Sequence, residues 1–182
     1  IYTVDAHTLQ VLRNMRWMIL GKSKDKYPLA NELARKLPKI EILYISGLYH
    51  DIGKGRGSDH SELGKSIVRK FCKKHLYSEE DTKKIEWLVE NHLLMSVTSQ
   101  KKDLTDSKVV EEFAKKVGSL EMLNYLYCLT AADVSATNPN LWNSWNASLL
   151  RQLYERSKSF YDNRLSINCL LYTSDAADER LS

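Results

Sequence analysis

Along most of the chain the apolar positions return every three or four residues, as in Leu63, Ile67 and Phe71 or Ile85, Leu88 and Val89, the spacing that puts a stripe on one face of a helix. No run of alternating apolar and polar positions makes a convincing strand, so the pattern predicts an all-α fold. The predicted helices cover about residues 4–20, 28–36, 41–51, 59–75, 79–95, 106–117, 119–136 and 143–164. Several starts have a local cause: Ser78 stands before the acidic turn Glu79, Glu80 and Asp81, and Asp106 and Ser119 are placed to accept from free first-turn amides in the same way. Gly21, Gly118 and Asn138-Pro139 fall where helices should stop, and Gly53, Gly55 and Gly57 form a loop directly after His50-Asp51.

Four of the five histidines and two aspartates interrupt this apolar pattern where a core residue is expected. His92 follows Ile85, Leu88 and Val89 on one stripe, His60 precedes Leu63 and Ile67 on another, and His7 lies between Val4 and Val11. Asp133 continues the face of Leu126, Leu129 and Thr130, where an ionised carboxylate is costly without a cation or several donors. His50 and Asp51 close an apolar helix one turn after the small Ser46 and Gly47, which leave room above them. Singly, each of these has an ordinary explanation: a core histidine bonded to a carbonyl, a helix-terminal histidine favoured by the dipole, an aspartate that organises a turn or pairs with Lys54 or Arg56. A metal centre explains all six together. Imidazole with carboxylate suits manganese, iron, cobalt, nickel or zinc, and magnesium less well as nitrogens accumulate. Such an ion activates water and offsets charge on a phosphoryl oxygen, which makes phosphate-ester hydrolysis the natural chemistry. The GKGRG loop, residues 53–57, brings Lys54 and Arg56 among glycines that let backbone amides approach a phosphate. It lacks the spacing and terminal Lys-Ser/Thr of a Walker loop and so does not indicate a nucleoside triphosphate.

Composition changes this reading little. A chain of 182 residues with 43% apolar and 27% charged residues suits one domain. No apolar run is long enough to cross a bilayer, so no membrane partner is expected. Cys72, Cys128 and Cys169 have no paired short spacing and fit a reducing cytoplasm. A formal charge of +4, spread over lysine doublets such as Lys73-Lys74 and Lys83-Lys84, is too mild to indicate nucleic acid but suits an anionic substrate. The chain opens at Ile1 without a methionine, and a preceding segment is expected. Cys169 to Glu179, CLLYTSDAADE, looks like the translation of a transposon-based sequencing-library adapter, so residues 169–182 are expected to be a disordered or adapter-derived tail and 1–168 the domain. Without that tail, which holds Arg180 against Asp175, Asp178 and Glu179, the body is slightly more basic.

The order His7, His50-Asp51, Asp133 resembles the HD superfamily of metal-dependent phosphohydrolases, and His60 and His92 resemble the extra histidines of its two-metal members. Over residues 2 to about 165, YTVDAHTL (2–9), HDIGKGRGSDHSELG (50–64), NHLLMS (91–96), KKDLTD (101–106), LTAADVSATNP (129–139) and LWNSWNASLL (141–150) resemble the HD segment of the bifunctional PII uridylyltransferase/uridylyl-removing enzymes. Departures fall at Ala6, Ser58 and Val134-Ser135, where that pattern has an acidic residue, a glycine and Ile-Arg; loss of the arginine would weaken an anion contact near Asp133. The resemblance implies an HD-type helical bundle in which His7, His50, Asp51, His92 and Asp133 hold one or two divalent ions, manganese, magnesium or another transition metal. Asp51 is the bridging candidate, His60 a second-metal ligand or phosphate contact, and Lys54 the group that neutralises phosphate. The implied reaction removes UMP from a tyrosine of uridylylated PII, a nitrogen-signalling protein, by attack of metal-activated water. It further implies nucleotidyltransferase and ACT domains elsewhere in a parent chain, and a cytoplasmic location. Two other readings share the metal set: a hydrolase of free nucleotides or cyclic dinucleotides, and a metal-holding but inactive regulatory module. Trp142 and Trp145, three apart on one helical face, suit core or interdomain packing rather than a uracil platform.

Overall fold

The structure, a computed structural model, describes residues 4–53, 60–138 and 140–178, the side chains of 60–62 and 165–178 excepted. Among the described residues every regular element is a helix: α1 (Val4–Ile19), α2 (Pro28–Ala34), α3 (Ile40–Tyr49), α4 (His60–Lys74), α5 (Glu79–Glu90), α6 (Leu94–Lys101), α7 (Ser107–Val117), α8 (Leu120–Thr137) and α9 (Ser144–Asp178). The all-α expectation holds. None of these helices is long and apolar enough to cross a membrane.

α8 is the axis of the bundle. Between Met122 and Ala136 only Asn124 escapes burial, and a helix apolar on every side has to be surrounded. α1, α2, α3 and α9 pack against it, while α5 lies on α3 and carries α4 on its outer side. α6 and α7 close the other end against α9. One core joins these helices, with Val11, Met15 and Met18 of α1 meeting Leu126, Leu129 and Ala132 of α8 and Ile42 and Leu43 of α3, all fully buried. Each large aliphatic side chain so buried contributes about 1.5–3 kcal/mol against chain entropy.

The expected caps are present: Ser78 accepts from the Asp81 amide at 3.1 Å, Asp106 from Lys108 at 2.9 Å and Ser119 from Met122 at 3.1 Å. Gly21 and Gly118 adopt φ of 68° and 89°, where a side chain would be strained. Two boundaries differ from the periodicity. The apolar stripe over 79–95 is two helices: α5 closes at its C-cap, Asn91, whose backbone amide and side-chain amide both donate to the Trp87 carbonyl, at 2.9 Å and 3.0 Å. The chain then turns through Asn91–Leu93 and starts α6, a helix the sequence pattern did not separate. α9 runs on past residue 164 to Asp178, across a stretch without glycine or proline to end it.

Trp142 and Trp145 do not share a helical face, since α9 begins only at Ser144. The Trp142 indole donates to the Lys26 carbonyl at 2.9 Å and meets the Tyr27 ring edge-on, whereas Trp145 is 70% exposed.

Candidate metal centre

The geometry starts from helix ends. The last carbonyls of a helix have no amide to accept, so a histidine just past the terminus can donate to one of them through Nδ1. His50, the C-cap of α3, does so to the Gly47 carbonyl at 2.8 Å, and His92, two residues beyond α5, does so to the Val89 carbonyl at 2.8 Å. A carbonyl only accepts, so in both rings Nδ1 carries the proton and Nε2 is the ligating nitrogen, aimed off the helix end. Neither helix therefore continues through its histidine, as a simple extension of the apolar stripe had implied.

The third ring comes from α1, where His7 is 8% exposed and faces α3 and α8. His7 Nε2 lies 3.2 Å from His50 Nε2 and 2.9 Å from Asp133 Oδ1, and His50 Nε2 lies 3.6 Å from the same carboxylate oxygen. These three ligand atoms fall within 4.8 Å of one another. Donors about 2.1 Å from a common ion stand roughly 3.0 Å apart at right angles and roughly 3.4 Å apart at the tetrahedral angle, so the observed spacings fit one coordination sphere. Asp51, in the turn after α3, joins the edge of this set. Its Oδ2 is 3.4 Å from His50 Nε2 and 3.6 Å from His7 Nε2, and its Oδ1 is 3.5 Å from His92 Nε2. Asp51 thus lies between the triad and His92. Buried His92 Nε2 makes no hydrogen bond among the described residues, as befits a ring nitrogen reserved for a ligand.

Electrostatics follow from this crowding. Burial alone would depress the His50 pKa, but hydrogen bonds to Asp133 and Asp51 and the charges of both carboxylates overturn that effect and raise it to about 9. For Asp133, burial works in the opposite direction and is outweighed by the hydrogen bonds from His50 and His7, which hold its carboxyl well below the usual range. A proton on His50 and a cation among these donors serve the same electrostatic need, which is the physical sense in which the residues fit a metal ion.

Five of the six sequence-derived metal residues therefore converge. The side chain of His60, at the start of α4, lies outside the described residues, as do Lys54, Arg56 and the rest of the GKGRG loop. The room expected at Gly47 is taken: a Cβ there would stand 2.5 Å from Met15 Cε and 2.7 Å from Sδ, so glycine permits the close approach of α1 to α3 rather than opening space over the site. His75, the fifth histidine, is exposed and stacks on Phe71 at 4.3 Å, away from the centre. Sequence reading passed over the Gly47 and Val89 carbonyls that fix the two tautomers. The available signal was a histidine placed at a helix end, three residues after a carbonyl. It also passed over Thr137, whose hydroxyl donates to the Asp133 carbonyl at 3.0 Å.

Residues 4–138 match the sequence pattern described as the HD domain, a span that encloses His7, His50, Asp51, His92 and Asp133. The chain belongs to the HD domain family. The chain is also similar to curated proteins named bifunctional uridylyltransferase/uridylyl-removing enzyme. It is 58% identical to that of Azotobacter vinelandii over 158 residues, 87% of this chain and 18% of the relative. The Stutzerimonas stutzeri protein matches to the same extent, and the Pseudomonas putida W619 protein is 55% identical over an equal span. The chain spans 18% of the length of these curated relatives.

Proposed function

We propose that this HD domain hydrolyses a phosphodiester in a metal-dependent reaction, releasing UMP from a uridylylated protein, with uridylylated PII as the expected substrate. The observation that carries the reading is the convergence of His7 Nε2, His50 Nε2 and Asp133 Oδ1 within one coordination sphere, with the His50 tautomer held by the Gly47 carbonyl. The relatives' name, uridylyl-removing enzyme, supports the substrate class.

His7, His50 and Asp133 would hold one divalent ion, and Asp51 with His92 would complete that ion's shell or reach a second. The ion would supply an acidified water and a counter-charge for the phosphoryl oxygens. The chain's own residues set the conditions for that chemistry. Asp133 and Asp51 balance the positive charge, and the Gly47 and Val89 carbonyls keep two imidazoles from turning. Burial of His50 and Asp51, each 4% exposed, keeps bulk water from screening the field. On sequence grounds Lys54 is assigned to phosphate by its charge, and His60 to a second metal or to phosphate by its resemblance to the extra histidines of two-metal members. The proposed reaction fits a cytoplasmic location, and the whole relatives' uridylyltransferase activity would reside in other segments.

Incubation of the chain with uridylylated PII and manganese or magnesium, with UMP measured with and without chelator, tests the reading. Release that chelator abolishes is expected. Folded, metal-binding protein that releases no UMP would overturn the substrate assignment, and failure to bind any divalent ion would overturn the mechanism.

A further inference from the structure

His7 and Asp133 belong to different helices, and their 2.9 Å contact is only as good as the register between α1 and α8. Most of that seam is apolar: Val11, Met15 and Met18 face Ala131, Ala132 and Leu129, all fully buried. Apolar contacts between smooth, small side chains resist separation but specify sliding poorly, because burial has no direction. Away from His7 and Asp133, Asn14 brings a polar side chain of α1 into the seam. Asn14, 2% exposed and two turns after His7, donates from Nδ2 to the Ala132 carbonyl at 3.0 Å and to Ser135 Oγ at 3.0 Å. Its Oδ1 accepts from Gln10 Nε2 at 3.0 Å, so the amide's orientation is fixed from its own helix as well. The Ser135 hydroxyl in turn donates to the Ala131 carbonyl at 2.7 Å. The two α8 acceptors flank Asp133 in sequence, one residue before it and two after it.

Displacing α1 along or around α8 would strand both amide protons in a dry seam, where no water replaces the lost partners. A single polar group in an apolar helix interface is the device that best fixes register in helical bundles. We infer that Asn14, gripping α8 on both sides of Asp133 through Ala132 and Ser135, is a positioning residue that sets the His7–Asp133 separation and thereby the affinity and coordination geometry of the metal centre. This inference rests on the metal reading given above. It also gives Ser135 a role: a small hydroxyl at this position both fits beneath α1 and supplies one of the two acceptors.

The test is Co2+ titration of the whole chain, followed by calorimetry and by the visible absorption of the bound ion, which reports coordination geometry independently of turnover. Asn14→Leu keeps the branched shape and removes the grip; it is expected to weaken Co2+ binding about 10- to 100-fold, as loss of a supporting partner around a ligand does, and to alter the spectrum. Phe113→Leu, which trims the core at α7 remote from the α1–α8 seam, serves as a stability control and is expected to leave affinity and spectrum unchanged. If Asn14→Leu does not fold, Ser135→Ala, which removes one acceptor only, decides with an expected loss of about three- to tenfold. Wild-type affinity and spectrum in the folded Asn14 or Ser135 variant would overturn the inference while leaving the metal centre standing. A wild-type chain that binds no Co2+ would overturn both.

Discussion

Gly47→Ala probes the packing that brings α1 against α3, and the structure sets its magnitude. The new Cβ would stand 2.5 Å from Met15 Cε, 2.7 Å from Met15 Sδ and 3.5 Å from Val11 Cγ1. Ordinary carbon contacts lie at about 3.5–4.0 Å, so the first two overlap by an ångström or so. Both offending atoms end a flexible side chain, but Met15 is fully buried in the same core as Val11, Met18 and Leu43, so it can yield only by repacking against core neighbours. Overpacking of this kind costs about 1–3 kcal/mol, while alanine in place of glycine favours the helix by about 1 kcal/mol, so a net loss of up to about 2 kcal/mol is expected. Met15→Val deletes Sδ and Cε. In that background only the helix term remains, and the same Gly47→Ala change should stabilise by about 1 kcal/mol. Urea unfolding of the four proteins of this cycle measures the coupling, which should be about 1–3 kcal/mol. Because α1 and α3 carry His7 and His50, metal affinity should fall in Gly47→Ala and recover in the double variant. Equal effects of Gly47→Ala in both backgrounds would refute the steric argument.

Leu76 ends α4 at φ 59° with its side chain 91% exposed, and the Tyr77 amide reaches back to the Cys72 carbonyl at 3.0 Å; Leu76→Gly should therefore raise stability by about 1 kcal/mol, read as a higher urea midpoint at unchanged slope. Tyr125 Oη accepts from the Lys39 amide at 3.1 Å and donates to the Lys39 carbonyl at 2.8 Å, so Tyr125→Phe should cost about 1–3 kcal/mol in the same assay by leaving the α3 entry unpaired. His50, raised to about 9, carries a proton at neutral pH that a metal ion must displace. Apparent metal affinity should therefore rise about tenfold per pH unit up to about pH 9, with proton release detectable by calorimetry in buffers of different ionisation enthalpy; a flat profile from pH 6 to 8.5 would refute it. In the metal-free protein the sign is opposite. A histidine raised above its unfolded value contributes its full stability below about pH 6.5 and loses it as pH rises through about 9, so metal-free stability should decline over that window.

The sequence by itself determined the kind of structure and the kind of chemistry. Spacings of three and four residues require helices whatever their neighbours, and caps such as Ser78, Asp106 and Ser119 act within one turn, so both are legible locally. Histidines and aspartates on apolar stripes, at His7, His92 and Asp133, announced a buried polar centre because burial without a partner is too costly to persist. Tertiary structure alone decided how they meet. The end of α5 at Glu90, against an apolar stripe that runs on, leaves His92 past the helix terminus with its Nε2 3.5 Å from Asp51 Oδ1, forty-one positions earlier in the chain. Gly47 owes its identity to Met15, thirty-two positions earlier in the chain, and the joining of His7 to Asp133 depends on a seam between the first helix and the eighth. Such contacts are set by the packing of distant segments, and a linear pattern carries no term for them.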